Sequence, residues 1–267
     1  MKIIINIFKV LIYLALFESF LIDKSAAFFP QINEPNQQEL KSTAKQIEKT
    51  AIQLIELNQN EEAIRLLRLA VKLNPKEISL WISLAEAQYR IDKSYEALES
   101  LTQATELRSD EPSIYFRQAS IYMNLNDPNK AKILIKKGLS INKNDERGYF
   151  QLGNAEIMLN NYTSALVAFK KSSKINSKFW QSINNEGLVL YELNNYKKAI
   201  IKFRSAIKIS NDPEPMLALA TVLYSSNNKS NESFNLAKIA LKSNPKYVWK
   251  EYQAKQLWGK KLQKSAQ

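Results

Sequence analysis

The strongest constraint on the fold is a period of 34 residues that starts at Ala44 and continues to residue 247 without insertion or deletion. It defines six blocks, which are residues 44–77, 78–111, 112–145, 146–179, 180–213 and 214–247. Positions 8, 20 and 27 of every block hold only Ala, Gly, Ser or Thr. At position 8, for example, these residues are Ala51, Ala85, Ala119, Gly153, Gly187 and Thr221. Because two helices approach closely only where side chains are small, each block predicts a pair of packed helices.

Large apolar or aromatic side chains stand between the small positions. Position 4 holds Ile47, Trp81, Tyr115, Tyr149, Ile183 and Leu217, and position 24 holds Leu67, Leu101, Ile135, Phe169 and Phe203 in the first five blocks. Asn74-Pro75 and Asn244-Pro245 end the first and last blocks, where a proline stops the preceding helix. With only 5 Gly and 8 Pro, the chain has too few turn residues for many short strands, so we predict an all-α fold.

This pattern resembles the tetratricopeptide-repeat (TPR) family across residues 44–247. The resemblance implies a superhelical solenoid of six helix–turn–helix repeats with a concave and a convex surface. The chain departs from the family pattern at position 7 with Gln118 and Glu186, at position 11 with Gln88 and Glu156, and at position 24 with Ala237. We expect these departures to change local packing and not the fold.

The N-terminal residues 1–27 have the pattern of a signal peptide, because Lys2 and Lys9 precede an apolar run and Ser25-Ala26-Ala27 offers a cleavage site. The alternative is an uncleaved membrane anchor over residues 3–22, which would carry Lys9 and Glu18 inside the span. Either interpretation places the remainder outside the cytoplasm, at the periplasmic side of the inner membrane or in the thylakoid lumen. Residues 28–43 lack sustained periodicity and are predicted to be a linker.

The C-terminal residues 248–267 are predicted to form a capping helix with a basic tail. The side chains expected to cover the last repeat are Val248, Trp249, Tyr252, Leu257, Trp258 and Leu262, while Lys250, Lys255, Lys260, Lys261 and Lys264 face water. The motif Gln-Leu-Trp-Gly-Lys at residues 256–260 resembles the ending of exported cyanobacterial and chloroplast-lumen TPR proteins.

Composition argues against catalysis. The chain contains no His and no Cys, which excludes histidine acid–base chemistry, thiol nucleophiles and the usual zinc sites. No nucleophile elbow or glycine-rich phosphate loop is present. We therefore predict that the protein is not an enzyme and has no catalytic residues, metal, cofactor or small-molecule substrate.

A partner-binding groove is predicted on the first helices of the repeats, since these line the concave surface of a TPR stack. The candidate residues are Ile82, Tyr89, Phe116, Arg117, Arg147, Phe150, Gln151, Asn154, Asn184, Asn185 and Tyr191. Rings offer apolar area, amides bond an extended backbone, and the arginines pair with carboxylates, so an extended or acidic protein segment would fit. The alternative is that the rings belong to the core and the amides are only solvated.

A second candidate surface is a basic outer ridge on the second helices, formed by Lys136, Lys170, Lys174, Arg204 and Lys208. Repeats three to five hold 16 basic and 7 acidic residues, whereas repeats one and two hold 9 and 12. This ridge is either a solvated face or a contact with an anionic membrane surface or an acidic partner. Nucleic acid is not predicted, because the chain is expected to be exported and carries no RNA-binding signature.

The carboxylate clamp by which some TPR proteins bind chaperone C-termini is not predicted. Asn154 and Asn185 match two of its positions, but Phe150 replaces a Lys, and Pro215 and Leu219 replace the final basic pair. Two functions remain. The favoured one is a non-catalytic scaffold that assists assembly or stability of a membrane-associated complex, as the resemblance to photosystem assembly factors implies. The alternative is a targeting or adaptor subunit of an envelope enzyme system.

Overall fold

The computed structural model describes residues 36–225 and 231–266, and the predicted signal or anchor at residues 1–27 lies outside them. By contacts the chain divides into residues 1–43 and residues 44–267. The described residues contain fourteen α-helices and one 3₁₀ helix, and no strand. None of the helices in these two ranges is long and apolar enough to cross a membrane.

Six helix pairs follow the predicted blocks. The first helices are α1 (Gln37–Glu56), α3 (Ile78–Arg90), α5 (Pro112–Asn124), α7 (Glu146–Met158), α9 (Trp180–Glu192) and α11 (Pro213–Ser225). The second helices are α2 (Asn60–Leu73), α4 (Ser94–Leu107), α6 (Pro128–Ile141), α8 (Tyr162–Ile175), α10 (Tyr196–Ile209) and α12 (Asn231–Ser243). The all-α TPR solenoid predicted from the period is thus confirmed.

In repeats one to five the turn between the two helices uses a left-handed residue at position 15. Asn58, Asp92, Asn126, Asn160 and Asn194 all have φ between 58° and 62°. Asn and Asp tolerate this conformation better than other residues with a side chain, so they can end the first helix where glycine is scarce. The sequence analysis did not use this position, although Asn or Asp occupies it in every block.

Helix packing explains why position 8 varies between Ala and Gly. In repeats four and five position 24 is Phe, and a Cβ built on Gly153 or Gly187 would lie 2.6 Å from a ring carbon of Phe169 or Phe203. In repeats one to three position 24 is Leu or Ile, and position 8 is Ala. The sixth repeat completes the series with the small Ala237 opposite the larger Thr221. The two positions therefore share a nearly constant volume.

Three of the four polar departures at positions 7 and 11 have polar partners on the second helices. Glu186 is fully buried, lies 2.7 Å from Lys202 Nζ and accepts a 2.5 Å hydrogen bond from Ser173. Glu156 lies 2.8 Å from Lys132 Nζ. Both lysines belong to second helices. Lys202 joins the two helices of repeat five, whereas Lys132 joins repeat three to repeat four. Buried Gln88 likewise accepts a 2.7 Å hydrogen bond from Ser100 Oγ.

The linker prediction is wrong for residues 37–43, which form the start of α1. Asn36 begins the helix, because its side chain accepts a hydrogen bond from the backbone N–H of Gln38 at 2.9 Å. The following residues include Gln, Glu, Leu and Lys, which favour helix.

The C-terminal segment is not the single helix that was expected. It contains a 3₁₀ helix (Pro245–Val248), α13 (Lys250–Lys255) and α14 (Lys260–Ser265). The chain turns at Leu257, which has φ 61°, while Trp258 N–H closes the turn by bonding Gln253 O at 3.0 Å. After this turn α14 contacts α9 and α11, the first helices of repeats five and six. Val248 and Trp249 are more than half exposed and do not act as the predicted covering residues.

Candidate peptide-binding groove

The first helices form an inner face on which side chains of neighbouring repeats pair at a constant separation of 31 residues. Position 9 of one repeat meets position 6 of the next. Arg117 Nη1 lies 3.1 Å from Glu86 Oε2, Gln151 Nε2 donates to Ser120 Oγ at 2.8 Å, and Asn185 Nδ2 donates to Asn154 Oδ1 at 3.0 Å. Four of the predicted groove residues therefore lie in one polar row that runs across repeats two to five.

This row becomes apolar at the last junction. The corresponding pair is Leu188 and Leu219, and both side chains are buried. They belong to one cluster with Trp258 and Leu262 of the C-terminal segment. The change from amides to leucines thus coincides with the part of the inner face that the chain covers with its own C-terminus.

Polar contacts fix the C-terminal segment on the inner face. The Glu192 carboxylate accepts hydrogen bonds from the backbone N–H groups of Lys261 and Leu262, at 3.3 and 3.1 Å, so it caps the start of α14. A Cβ added to Gly259 would overlap the Glu192 side chain, which explains the glycine at that position. The Tyr191 hydroxyl lies 2.8 Å from Ser265 Oγ.

The indole of Trp258 donates a 3.0 Å hydrogen bond to Glu214 Oε1. Burial, with a contribution from the nearby Asp212 carboxylate, raises the pKa of Glu214 to about 7 against the opposing hydrogen bonds from the Trp258 indole and the Asn184 amide. Sequence analysis missed Glu192 and Glu214, because nothing in the repeat pattern indicates which residues the C-terminal segment contacts.

The predicted groove residues fall into three groups. Ile82, Tyr89, Phe116, Phe150, Gln151 and Asn154 are partly buried, Arg117 and Arg147 are exposed, and Asn184, Asn185 and Tyr191 are buried. We expected Asn184 to face solvent, and this was wrong, since its side chain is fully buried beside the covered part of the inner face. The alternative interpretation holds in part for the rings, because Tyr89, Phe116 and Phe150 pack against apolar core clusters.

Two pockets open on the inner face. The first has a volume of about 210 Å³ and lies between repeats two and three, with Glu86, Tyr89, Arg117 and Ser120 above the apolar Leu101 and Ile121. Burial raises the pKa of Tyr89, and the neighbouring carboxylates of Glu86 and Asp92 add to this effect. Its rim can donate and accept hydrogen bonds, and its floor can accommodate an apolar side chain.

The second pocket, of about 350 Å³, lies where repeats four to six meet the C-terminal segment. Its walls combine aromatic rings, amides and two carboxylates, with one lysine. They include Phe150, Asn154, Trp180, Gln181, Asn185, Asp212, Glu214, Tyr252 and Lys255. This mixture of groups suits a polypeptide backbone with its side chains, because amides both donate and accept hydrogen bonds.

The basic outer ridge is solvent-exposed, with Lys136, Lys170, Lys174 and Lys208 on the second helices. Its fifth member, Arg204, pairs with Glu232 of the next repeat at 2.8 Å. No group of carboxylates that could hold a metal ion occurs in the described part of the chain.

Comparison with known proteins identifies the repeats. The tetratricopeptide repeat family model matches residues 54–77 and 112–145. No curated protein sequence matches the chain. The C-terminal resemblance to cyanobacterial and chloroplast proteins is outside these matches and stays a prediction.

Solved structures match over most of the chain. PilF of Pseudomonas aeruginosa is 14% identical with a TM-score of 0.68, over 82% of this chain and 99% of that one. PilW, described as a widely conserved type IV pilus biogenesis factor, is 16% identical with a TM-score of 0.66, over 79% and 97%. YrrB, described as a TPR protein with an unusual peptide-binding site, is 16% identical with a TM-score of 0.54, over 71% and 97%. At these identities the structures establish the fold, and the family model identifies tetratricopeptide repeats within it at residues 54–77 and 112–145.

Proposed function

We propose that this protein is a non-catalytic scaffold whose inner face binds an extended segment of a partner protein across repeats two to four. The observation that carries the proposal is a contact within the chain, between its C-terminal segment and the inner face. On repeats five and six the same face already holds a polypeptide, the C-terminal segment, through backbone, indole and hydroxyl hydrogen bonds. The inner face of repeats two and three has an open pocket and no such cover from the described residues.

The chemistry of the open inner face favours a segment with an apolar side chain and a carboxylate. The floor of the first pocket is apolar, and Tyr89 at its rim offers ring area at low entropic cost. Arg117 is already paired with Glu86, so a partner carboxylate would have to share it. Arg147 is exposed and forms no ion pair with a described residue, which makes it the better candidate for a new charged contact.

The wider role that we propose is that of an exported protein that assists assembly or stability of a membrane-associated complex, with a photosynthetic complex as the candidate. Support comes from the signal-like residues 1–27 and from the kinship of fold with a pilus biogenesis factor and a peptide-binding TPR protein. The alternative is a targeting or adaptor subunit of an envelope enzyme system. Co-purification from detergent-solubilised membranes separates them, because the first role predicts structural subunits in the complex and the second predicts an enzyme.

Peptide selection tests the groove directly. Peptides selected from a displayed random library on the full chain should bind Tyr89→Ala and Arg147→Ala at least tenfold more weakly, since each loses about 1.5–3 kcal/mol of contact. Tyr95→Ala is the matched control, because Tyr95 is 75% exposed on a second helix. Peptides that lose affinity for Tyr95→Ala but keep it for the two groove variants would refute the proposal.

A second contact is proposed for the basic outer ridge, with an anionic partner. The supporting observation is that Lys136, Lys170, Lys174 and Lys208 are exposed and form no ion pair with any residue in the described ranges. We expect partner binding to weaken as the salt concentration rises. The double variant Lys136→Glu with Lys170→Glu should lose this salt dependence.

A further inference from the structure

Charge is segregated among the second helices in a way that the repeat fold does not require. Helices α6, α8 and α10 carry four, three and five Lys or Arg residues, and no Asp or Glu. The equivalent helix of repeat two, α4, carries three Glu and no Lys or Arg. All four helices occupy the same place in their repeats, so the repeat geometry alone does not account for the difference.

A row of exposed aliphatic side chains runs through this basic surface. Ile133, Val167 and Ile201 stand at position 22 of repeats three to five and are 67%, 65% and 61% exposed. The same position holds Glu99 in repeat two. On each helix the ridge residue follows one turn later on the same face, as Lys136, Lys170 or Arg204, so that apolar and cationic groups form two parallel rows.

The structure uses only part of the positive charge internally. Lys132 and Lys202 pair with the buried carboxylates of Glu156 and Glu186, at 2.8 and 2.7 Å. Lys137 and Lys171 lie over the rings of Tyr115 and Tyr149 at 4.6 and 4.3 Å. The ridge lysines have no such partner among the described residues, so an external anionic surface would have to balance their charge.

We propose that the outer surface of repeats three to five docks on an anionic lipid bilayer, with the aliphatic row entering the interface and the lysines among the headgroups. This inference rests on the second contact proposed above and specifies its partner. Protein interfaces are depleted in Lys and use Arg and aromatic residues as anchors, whereas this surface is built of Lys and aliphatic side chains. The long, flexible lysine side chains can contact lipid phosphate groups while the neighbouring aliphatic side chains enter the interface.

Site-specific fluorescence tests the proposal on the full chain. Since the protein contains no cysteine, Val167→Cys can be labelled uniquely with an environment-sensitive nitrobenzoxadiazole dye. Adding phosphatidylcholine–phosphatidylglycerol vesicles should shift its emission to the blue, whereas pure phosphatidylcholine should not. Glu99→Cys, at the same position of the acidic repeat two, is the matched control and should not respond. A local readout is needed because the apolar N-terminal residues could attach the chain to vesicles by themselves.

Charge reversal completes the experiment. Lys136→Glu with Lys170→Glu should weaken the vesicle response at residue 167 about tenfold or more, since each lysine near an anionic surface contributes about fivefold. A response to polyglutamate but not to vesicles would overturn the membrane inference and leave the anionic contact standing. No response to either would overturn both, and equal responses at residues 99 and 167 would show adsorption without a defined face.

Discussion

The shared volume of positions 8 and 24 gives a quantitative prediction in repeat five. Phe203 is fully buried, and a Cβ on Gly187 would lie 2.6 Å from its ring. Gly187→Ala gains about 1 kcal/mol of helix propensity. It also forces the ring and the helix apart, which costs about 1–3 kcal/mol in a packed core. We therefore expect a net loss of up to about 2 kcal/mol despite the better helix former.

The double variant Gly187→Ala with Phe203→Leu recreates the combination that repeats one and two already use. Phe203→Leu alone should cost about 1–2 kcal/mol through the space it leaves. In the double variant the new methyl group occupies part of that space, so the two changes should couple favourably by about 1–2 kcal/mol.

Urea unfolding followed by circular dichroism, on all four proteins of the cycle, measures this coupling. Because repeat arrays can unfold in stages, the slopes of the transitions must agree before free energies are compared. Additive losses, with no favourable coupling in the double variant, would refute the argument that these two positions share one volume.

Three further changes probe other contacts. Lys202→Met should cost about 2–3 kcal/mol of unfolding free energy because it leaves the buried Glu186 carboxylate without its partner, whereas exposed Lys198→Met should be nearly silent. Gly259→Ala should loosen the C-terminal segment, seen as faster hydrogen exchange at the Leu262 amide that Glu192 now binds; unchanged exchange would argue against the capping contact. The raised pKa of Glu214, about 7, means that the folded state binds its proton more tightly than the unfolded state does. The contribution of Glu214 to stability should be complete below the ordinary glutamate pKa and fall by up to about 3 kcal/mol as the pH rises towards 7, and Glu214→Gln should remove this contribution in pH-resolved unfolding.

The repeat fold was predictable because its determinants are local and periodic. Small residues recur at position 8 in all six blocks and bulky ones at position 24 in the first five, so the blocks support the same helix pair. The Asn or Asp at position 15 recurs equally well and could have located the turns. Its left-handed conformation gives the physical reason.

The covered end of the inner face was not predictable, because it depends on a contact between residues far apart in sequence. Trp258 and Leu262 have an apolar pattern that suits either a cap over the last helix or a segment on the inner face. The turn at Leu257 decides between them, and a leucine gives no sequence signal for positive φ. The burial of Asn184 and Tyr191 follows from this turn, so exposure was misjudged at the positions beneath it.

The central claim is that the open inner face of repeats two to four holds the partner. The most direct test replaces Tyr89 by the photo-crosslinking residue p-benzoylphenylalanine in cells that make the full protein, with Tyr95 replaced in parallel as the outer-face control. We expect irradiation to give a discrete crosslinked species at residue 89, competed by the peptides selected in vitro, and none at residue 95. A crosslink at residue 95 alone, or one at residue 89 that those peptides do not displace, would contradict the account.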